Sequence, residues 1–327
     1  MKFDVVFLDV TAPGYYDRLT LENMSMGGTE ASVIRVAELL AERGIKIAIV
    51  ESQCDYFEPT IGQYAYFLHS NDIKDIECDH FVQIRSVQNF HLFPKAKKYV
   101  WCHDVANAST TPTYEAIVAN DATVIGVSKW HEDNLRFHLK GYSNITYAYN
   151  PVPTQAYLSL DERPLKINKD LMVWMSSPHK GLNKALELLK EVQKEAPNMQ
   201  LMIFNPGYLK NYLINQKGIL MQGSLPAKQM WNHVKSALCL FYPCTFTETF
   251  GCVAAEANAL GVPVSTYAKG ALVESVSSAD QLSEDGDEKS LVQKVLHWHR
   301  GHRPTVYGQD RFAEPSVAHA WSKVLNR

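Results

Sequence analysis

Short β-branched and aromatic runs alternate with longer stretches of helical period along most of this chain, the pattern of parallel α/β sheets. In the first half it predicts strands near Val5–Val10, Lys46–Val50, Phe81–Arg85, Tyr99–His103, Thr123–Val127 and Ile145–Tyr149. Between them it predicts helices at about Thr29–Arg43, Thr113–Asn120 and Lys129–Lys140. The first helix carries its own punctuation: Thr29 as a cap, Glu30 at the positive end of the dipole and Gly44 as a stop. Ile34, Ala37 and Ala41 give it one apolar face.

Asn150-Pro151-Val152-Pro153 interrupts the alternation, because prolines remove donors and stiffen the chain. A polar, irregular stretch follows, and the pattern restarts at a strand Leu171–Met175. Then come helix Leu182–Lys194, strands Met199–Phe204 and Ile219–Met221, helix Ala227–Ser236, strand Leu238–Tyr242, helix Cys252–Leu260 and strand Val262–Thr266. A final amphipathic helix is expected at Ser316–Asn326. Two α/β halves joined at Asn150–Pro164 is the simplest organisation, with domains at 1–150 and 151–310 and a terminal helix in 311–327. The length of 327 residues fits two domains.

Composition narrows the functional classes. Hydrophobic residues make up 46% and charged residues 20%, enough to build two cores. A formal net charge of -3 gives no basic surface for nucleic acid. The six cysteines, Cys54, Cys78, Cys102, Cys239, Cys244 and Cys252, form no C-x-x-C pair and read as reduced thiols. Asp4 and Asp9 break the N-terminal apolar run, so a strand is expected there and not a signal peptide. The longest apolar run, Ala237 to Cys244, is too short to span a bilayer. A cytoplasmic location follows as the expectation. Lys95, Lys97 and Lys98 beside Phe90 and Phe93 are a candidate contact with the inner face of a membrane, set against a plain solvated loop.

The stretch from Phe241 to Val264 carries the densest chemistry. A strand ends at Tyr242, a loop holds Glu248, and a helix begins near Gly251. Amides of Phe250, Gly251 and Cys252 at that helix start would favour a diphosphate, with Gly251 allowing close backbone approach. Glu256 lies roughly 7 Å further along by helical rise, the step from a diphosphate to a ribose. Glu248, upstream of the helix, would face the hydroxyls of a transferred sugar. A bare pair of glutamates at this spacing is weak, since both could be solvated acids. The whole string, with Phe250-Gly251, Glu256-Ala257 and Gly261-Val262-Pro263-Val264, resembles the Glu-x7-Glu signature of retaining GT-B glycosyltransferases, glycosyltransferase family 4 in particular (the glycosyl transferases group 1).

The resemblance extends along nearly the whole chain. It implies a GT-B fold: two Rossmann-like α/β domains facing each other across a cleft, the first on the acceptor side, the second binding the nucleotide-sugar, with the C-terminal helix crossing back. Gly27-Gly28-Thr29-Glu30 is similar to the family's N-terminal glycine loop, which approaches the donor phosphates; alone, two glycines mark any tight turn. Ser176-Ser177-Pro178-His179-Lys180-Gly181 looks like the strand-end motif that supplies a cation to the diphosphate, with Lys180 in that role. The arginine that members pair with it is absent, since Trp174, Met175, Ser176 and Ser177 fill that stretch. His103, at the end of Trp101-Cys102-His103-Asp104, matches a histidine near the donor sugar; otherwise it is a structural histidine. Gln222-Gly223-Ser224-Leu225 matches the stretch beside the nucleobase, Leu225 presenting backbone to it.

The implied activity is transfer of a hexose-type sugar, with retention, from a UDP-, GDP- or ADP-sugar to a glycan, lipid-linked or other hydroxyl acceptor. No cofactor and no metal are expected: Lys180 and helix amides do the electrostatic work. His297, His299 and His302 invite a metal reading, but 297 and 299 lie on different helix faces. A sugar-nucleotide epimerase on the same fold and a non-catalytic glycan-binding protein stay open, the second because of the missing cation. The acceptor loops, Thr11–Ser25 with Tyr15 and Tyr16 and Cys54–Tyr66, follow no readable pattern.

Overall fold

A computed structural model describes residues 1–51, 65–154, 157, 166–204 and 214–326, with His69, Ser70 and Asp72 as backbone only. Cys54, the loop Cys54–Tyr66 up to Tyr64, and most of the stretch leading to Pro164 lie outside the described residues. The chain divides into two compact units.

The first unit comprises Met1–Leu19, Gly28–Pro151 and the chain from Glu314. Its sheet holds β1 (Lys2–Asp9), β2 (Ile47–Glu51), β3 (Tyr66–His69), β4 (Glu77–Ile84), β5 (Lys97–Trp101), β6 (Thr123–Gly126) and β7 (Ile145–Tyr147). The strands run parallel in the order β3-β2-β1-β4-β5-β6-β7, with Phe7 opposite Ile49 on one side and Val82 on the other. Helices cover both faces of such a sheet, which is why Val5–Leu8 is a continuous buried run and not an alternating one. Chain order reverses between β1 and β4, so their carboxyl ends form the switch point of this sheet. Helix Gly28–Ala41 buries Val33, Ile34, Ala37 and Leu40. Helix Glu314–Val324 packs against it. Trp321, fully buried, meets Phe7 at 5.7 Å and Trp101 at 4.6 Å between ring centroids, anchoring that helix by large aromatic burial.

The second unit comprises Thr20–Gly27 and Val152–Ala313. It contains β8 (Asn168–Trp174), β9 (Gln200–Phe204), β10 (Ile219–Gly223), β11 (Ala237–Tyr242), β12 (Val264–Tyr267) and β13 (Leu282–Ser283), in the parallel order β10-β9-β8-β11-β12-β13. Every residue of β11 is buried. Helix Leu182–Glu195 turns Leu182, Ala185, Leu188, Leu189 and Val192 inward, at helical spacing. Helix Glu288–His299 starts at Asp287, whose carboxylate accepts from Ser290 N at 2.9 Å. The switch point lies between β8 and β11.

Several expectations need correcting. Thr29 is no cap: the helix opens at Gly28, and the Thr29 hydroxyl receives Arg85 Nη2 at 2.6 Å. In the Lys95–Lys98 stretch, Lys95 and Lys97 are exposed, whereas Lys98 and the neighbouring phenylalanines turn inward. Phe90 and Phe93 pack on Phe81 in the core. Lys98 is buried, giving its ammonium to the carbonyls of Pro94 (3.0 Å) and Ala96 (2.9 Å), and burial lowers its pKa. Among the described residues no helix is long and apolar enough to cross a membrane.

Candidate active site

The second unit brings the two ends of its central strands together. After β8, a short 3-10 turn Pro178–Lys180 leads through Gly181 into helix Leu182–Glu195. Gly181 sits at φ 126°, a conformation side chains disfavour, and a Cβ there would lie 2.5 Å from the Pro243 carbonyl oxygen. The loop after β11 is therefore pressed backbone to backbone on the Lys180 turn, and Thr245 N donates to Lys180 O at 2.9 Å. This contact closes a gap of 68 residues in sequence: Lys180 Nζ donates to Glu248 Oε1 at 2.8 Å. Tyr242 OH donates to the same oxygen at 2.5 Å. No hydrogen bond to Glu248 Oε2 is present among the described residues.

The electrostatics follow from burial and pairing. Burial acts to lower the Lys180 pKa, but Glu248, with Cys244 and Cys252 adding to it, outweighs this and leaves it raised. Lys180 is a firm cation at neutral pH. Its ammonium also lies 5.2 Å from the centre of the half-exposed Phe246 ring. Burial and the Glu248 carboxylate hold the Tyr242 phenol well above its ordinary pKa, so it stays a donor.

Next to this pair, Gly251 at φ 85° is the N-terminal cap of helix Cys252–Ala259. That helix opens with no side-chain cap and no acid in its first turn, which leaves its positive end suited to an anion. Gly270, at φ 58°, lets a neighbouring turn close over the loop: Ala271 N donates to Glu248 O at 2.8 Å, and a Cβ at Gly270 would meet that oxygen at 2.4 Å. Glu256 is half-buried along the same helix. Phe250 is buried in a ring contact with Phe312 at 5.0 Å. Leu225 follows β10, two strands from β8, where the Ser224 and Ser25 hydroxyls meet. Ser176 and Ser177 are both buried: Ser176 Oγ lies 3.2 Å from Tyr242 OH, and Ser177 Oγ lies 3.1 Å from His179 Nδ1.

In the first unit, His103 is buried with its ring 4.5 Å from that of Trp101. Burial first, then Arg85 and His131, hold its pKa well below 6.5, so it is a neutral imidazole. Gly28 opens the adjoining helix. Gly27 ends the segment that groups with the second unit. No local motif marks Arg85. At the carboxyl end of β4 it adopts a left-handed φ of 59°, reaching Asp104 at 2.9 Å, Thr29 at 2.6 Å and Glu30 at 4.0 Å. A non-glycine residue there is strained, a common mark of a functional region. Glu30 is buried, and burial raises its carboxyl pKa despite Arg85. Tyr16 is buried and donates to Asp9 at 3.2 Å, so it packs; Tyr15 is exposed and bonds Asp17 at 2.6 Å.

His131 was also missed, because its partners lie far off in sequence. Its Nδ1 accepts from Val127 N at 3.2 Å and its Nε2 donates to Asp104 O at 2.9 Å. Burial lowers its pKa to about 4. The unfolded chain binds this proton at higher pH than the folded one, so the contribution is complete above about pH 6.5 and is lost as pH falls towards 4. From pH 7 to pH 5 this one group should cost about 2 kcal/mol of stability. Denaturant unfolding at both pH values checks it: the loss should shrink in His131→Asn, and an equal loss in both proteins would refute the assignment.

The C-terminal histidines do not converge. His299 pairs with Asp170 at 2.8 Å, whereas His297 stacks on His302 at 4.4 Å. Cys78, Cys102, Cys239, Cys244 and Cys252 form no disulfide among the described residues.

Comparison with known proteins adds to this geometry. Residues 163–303, somewhat under half of the chain, match the family model described as glycosyl transferases group 1. No curated protein matches the chain in sequence. Among solved structures, Anabaena HepE in complex with UDP-glucose aligns over 99% of both chains with a TM-score of 0.71 and 13% identity. Sucrose-phosphate synthase from Thermosynechococcus elongatus aligns over 99% of this chain and 98% of its own, with a TM-score of 0.66 and 14% identity. TarM aligns over 76% of this chain with a TM-score of 0.57 and 14% identity, and only 55% of TarM is covered. At these identities the likeness is one of fold, and the fold is GT-B: two α/β units, each with a parallel sheet.

Proposed function

We propose that this chain is a retaining glycosyltransferase that moves a hexose-type sugar from a nucleotide-sugar to a hydroxyl of a glycan or lipid-linked acceptor. The observation that carries the reading is the Lys180–Glu248 pair at 2.8 Å beside an uncapped helix start built on Gly251. The match of residues 163–303 to glycosyl transferases group 1 supports it. Since one neighbour was solved with UDP-glucose, a uridine nucleotide is the first donor to test, followed by guanosine and adenosine nucleotides.

In this reading the diphosphate sits against the start of helix Cys252–Ala259, where Phe250, Gly251 and Cys252 supply peptide dipoles. Lys180 turns from Glu248 towards it and neutralises the charge that builds as the bond from the anomeric carbon to phosphate oxygen breaks. Glu248 offers Oε2 to hydroxyls of the transferred sugar, and Glu256 accepts from the ribose. The acceptor oxygen bonds to the anomeric carbon on the face the phosphate leaves, and its proton passes to the departing phosphate oxygen. No protein nucleophile is assigned. His103, being neutral, hydrogen-bonds and carries no charge. Ser177, the peptide N–H of Ser176 and the backbone of Leu225 complete the donor contacts of the second unit, with Gly27 in its N-terminal segment. No metal is required.

The test is a panel of labelled nucleotide-sugars with excess chelator, following nucleoside diphosphate release and the anomeric configuration of the product. Release that survives the chelator, with retention, is expected. Glu256→Ala should weaken nucleoside diphosphate binding about tenfold with little change in kcat, whereas Glu248→Ala should lower kcat about a hundredfold. A reversed pattern would overturn the two assignments. Binding without release from any donor would favour a non-catalytic protein on the same fold.

A further inference from the structure

Tyr242 is the last residue of β11 and is fully buried, in a position where any aromatic would fill the core. Its hydroxyl nevertheless sits on the one carboxylate oxygen that Lys180 also holds, at 2.5 Å from Glu248 Oε1. From the end of β8 and the turn after it the same tyrosine is gripped twice: Ser176 Oγ lies 3.2 Å from its hydroxyl, and the Trp174 ring lies 5.2 Å from its ring at 59°. Trp174 Nε1 donates to Ser176 O at 2.7 Å, which sets the serine in turn. The stretch Trp174–Ser177, which carries no cation, carries this clamp instead.

We infer that Tyr242 is a positioning residue, holding Glu248 by Oε1 so that Oε2 keeps its aim when Lys180 transfers its charge to the donor diphosphate. Glu248 is only 5% exposed. Were Lys180 its sole partner, the lysine's departure would leave a buried carboxylate with neither oxygen satisfied, free to follow the ammonium or to take up a proton. A neutral hydroxyl bonded to an ionised acceptor is a strong tether that does not compete for the phosphate. The two loops are held together beside it, because the backbone at Gly181 is pressed on Pro243 and Thr245 N donates to Lys180 O. Serine, tyrosine and glutamate thus form one line, with the lysine as the movable member.

The catalytic part of this inference rests on the transferase reading above. Tyr242→Phe, which keeps the ring, should lower kcat about tenfold with donor KM changed less than about twofold. In a Glu248→Ala background the same change should cost less than about twofold, since the tyrosine acts through the glutamate. Ser176→Ala, which frees the hydroxyl from its second partner, should lower kcat about threefold and show the same dependence on Glu248. It decides the matter should Tyr242→Phe fail to fold. An active wild type in which these substitutions cost the same factor with and without Glu248, or raise donor KM with kcat intact, would overturn the inference alone. A wild type that neither binds nor turns over any nucleotide-sugar would overturn the transferase reading and this inference with it.

Discussion

Lys180→Ala is expected to slow sugar transfer about a hundredfold or more at saturating donor, the loss typical of removing one preorganised group aimed at developing charge. Two features set the size of the effect. The ammonium is a firm cation, its pKa raised by Glu248 against the pull of burial. The stretch upstream, Trp174 to Ser177, offers no second cation to take over. Lys180→Arg keeps the charge but replaces a compact point donor with a planar fork, so it should recover part of the rate. The alanine variant also leaves the buried Glu248 with Tyr242 as its remaining partner, a stability cost of about 1–3 kcal/mol. Initial rates and unfolding curves on the three proteins separate the two effects. A rate loss below about tenfold in a folded Lys180→Ala protein would mean that the ammonium does not meet the leaving group.

Gly181→Ala should be among the most damaging small substitutions in the second unit. The residue sits at φ 126°, and its Cβ would fall 2.5 Å from Pro243 O and 3.1 Å from Thr245 N, both backbone atoms that cannot swing aside. Strain and overpacking together should cost about 3 kcal/mol or more. Gly261 is the natural control: it too has positive φ, 73°, but nothing lies within 4 Å of its Cβ position. Gly261→Ala should therefore lose only about 1 kcal/mol. Urea unfolding of the pair isolates the clash from the dihedral cost. Because the Gly181 contact sets the Lys180 turn against the Glu248 loop, Gly181→Ala should also lose turnover. Equal stability of the two variants would show that the two loops are not pressed together.

Most of the sheets could be read from the sequence because buried parallel strands announce themselves as apolar runs. Val5–Leu8 and Leu238–Tyr242 are such runs, and both became central strands. The edges were harder. Tyr66–His69 has no alternation and no preceding signal, and Leu282–Ser283 is only two residues long. Lys180 and Glu248 could each be singled out from local strings, yet nothing local joins residues 68 apart. Their pairing comes from strand order, since β8 and β11 are neighbours across the switch point. Thr29 looked like a cap because caps are judged within one turn, whereas its real partner, Arg85, lies 56 residues on. Arg85 itself carried no signal, because left-handed backbone is not expected of an arginine. Tyr242 stands in the sequence only as the end of an apolar strand; its hydroxyl gains meaning from Glu248.

On the proposed reading, a nucleoside diphosphate sits in the second unit against Lys180 and the helix start at Gly251. Calorimetric titration of uridine, guanosine and adenosine diphosphates into the wild type and Lys180→Ala measures this seat. One of the three should bind the wild type, with affinity at least about tenfold weaker in the variant. No binding by any of them, or equal affinity in both proteins, would contradict that reading.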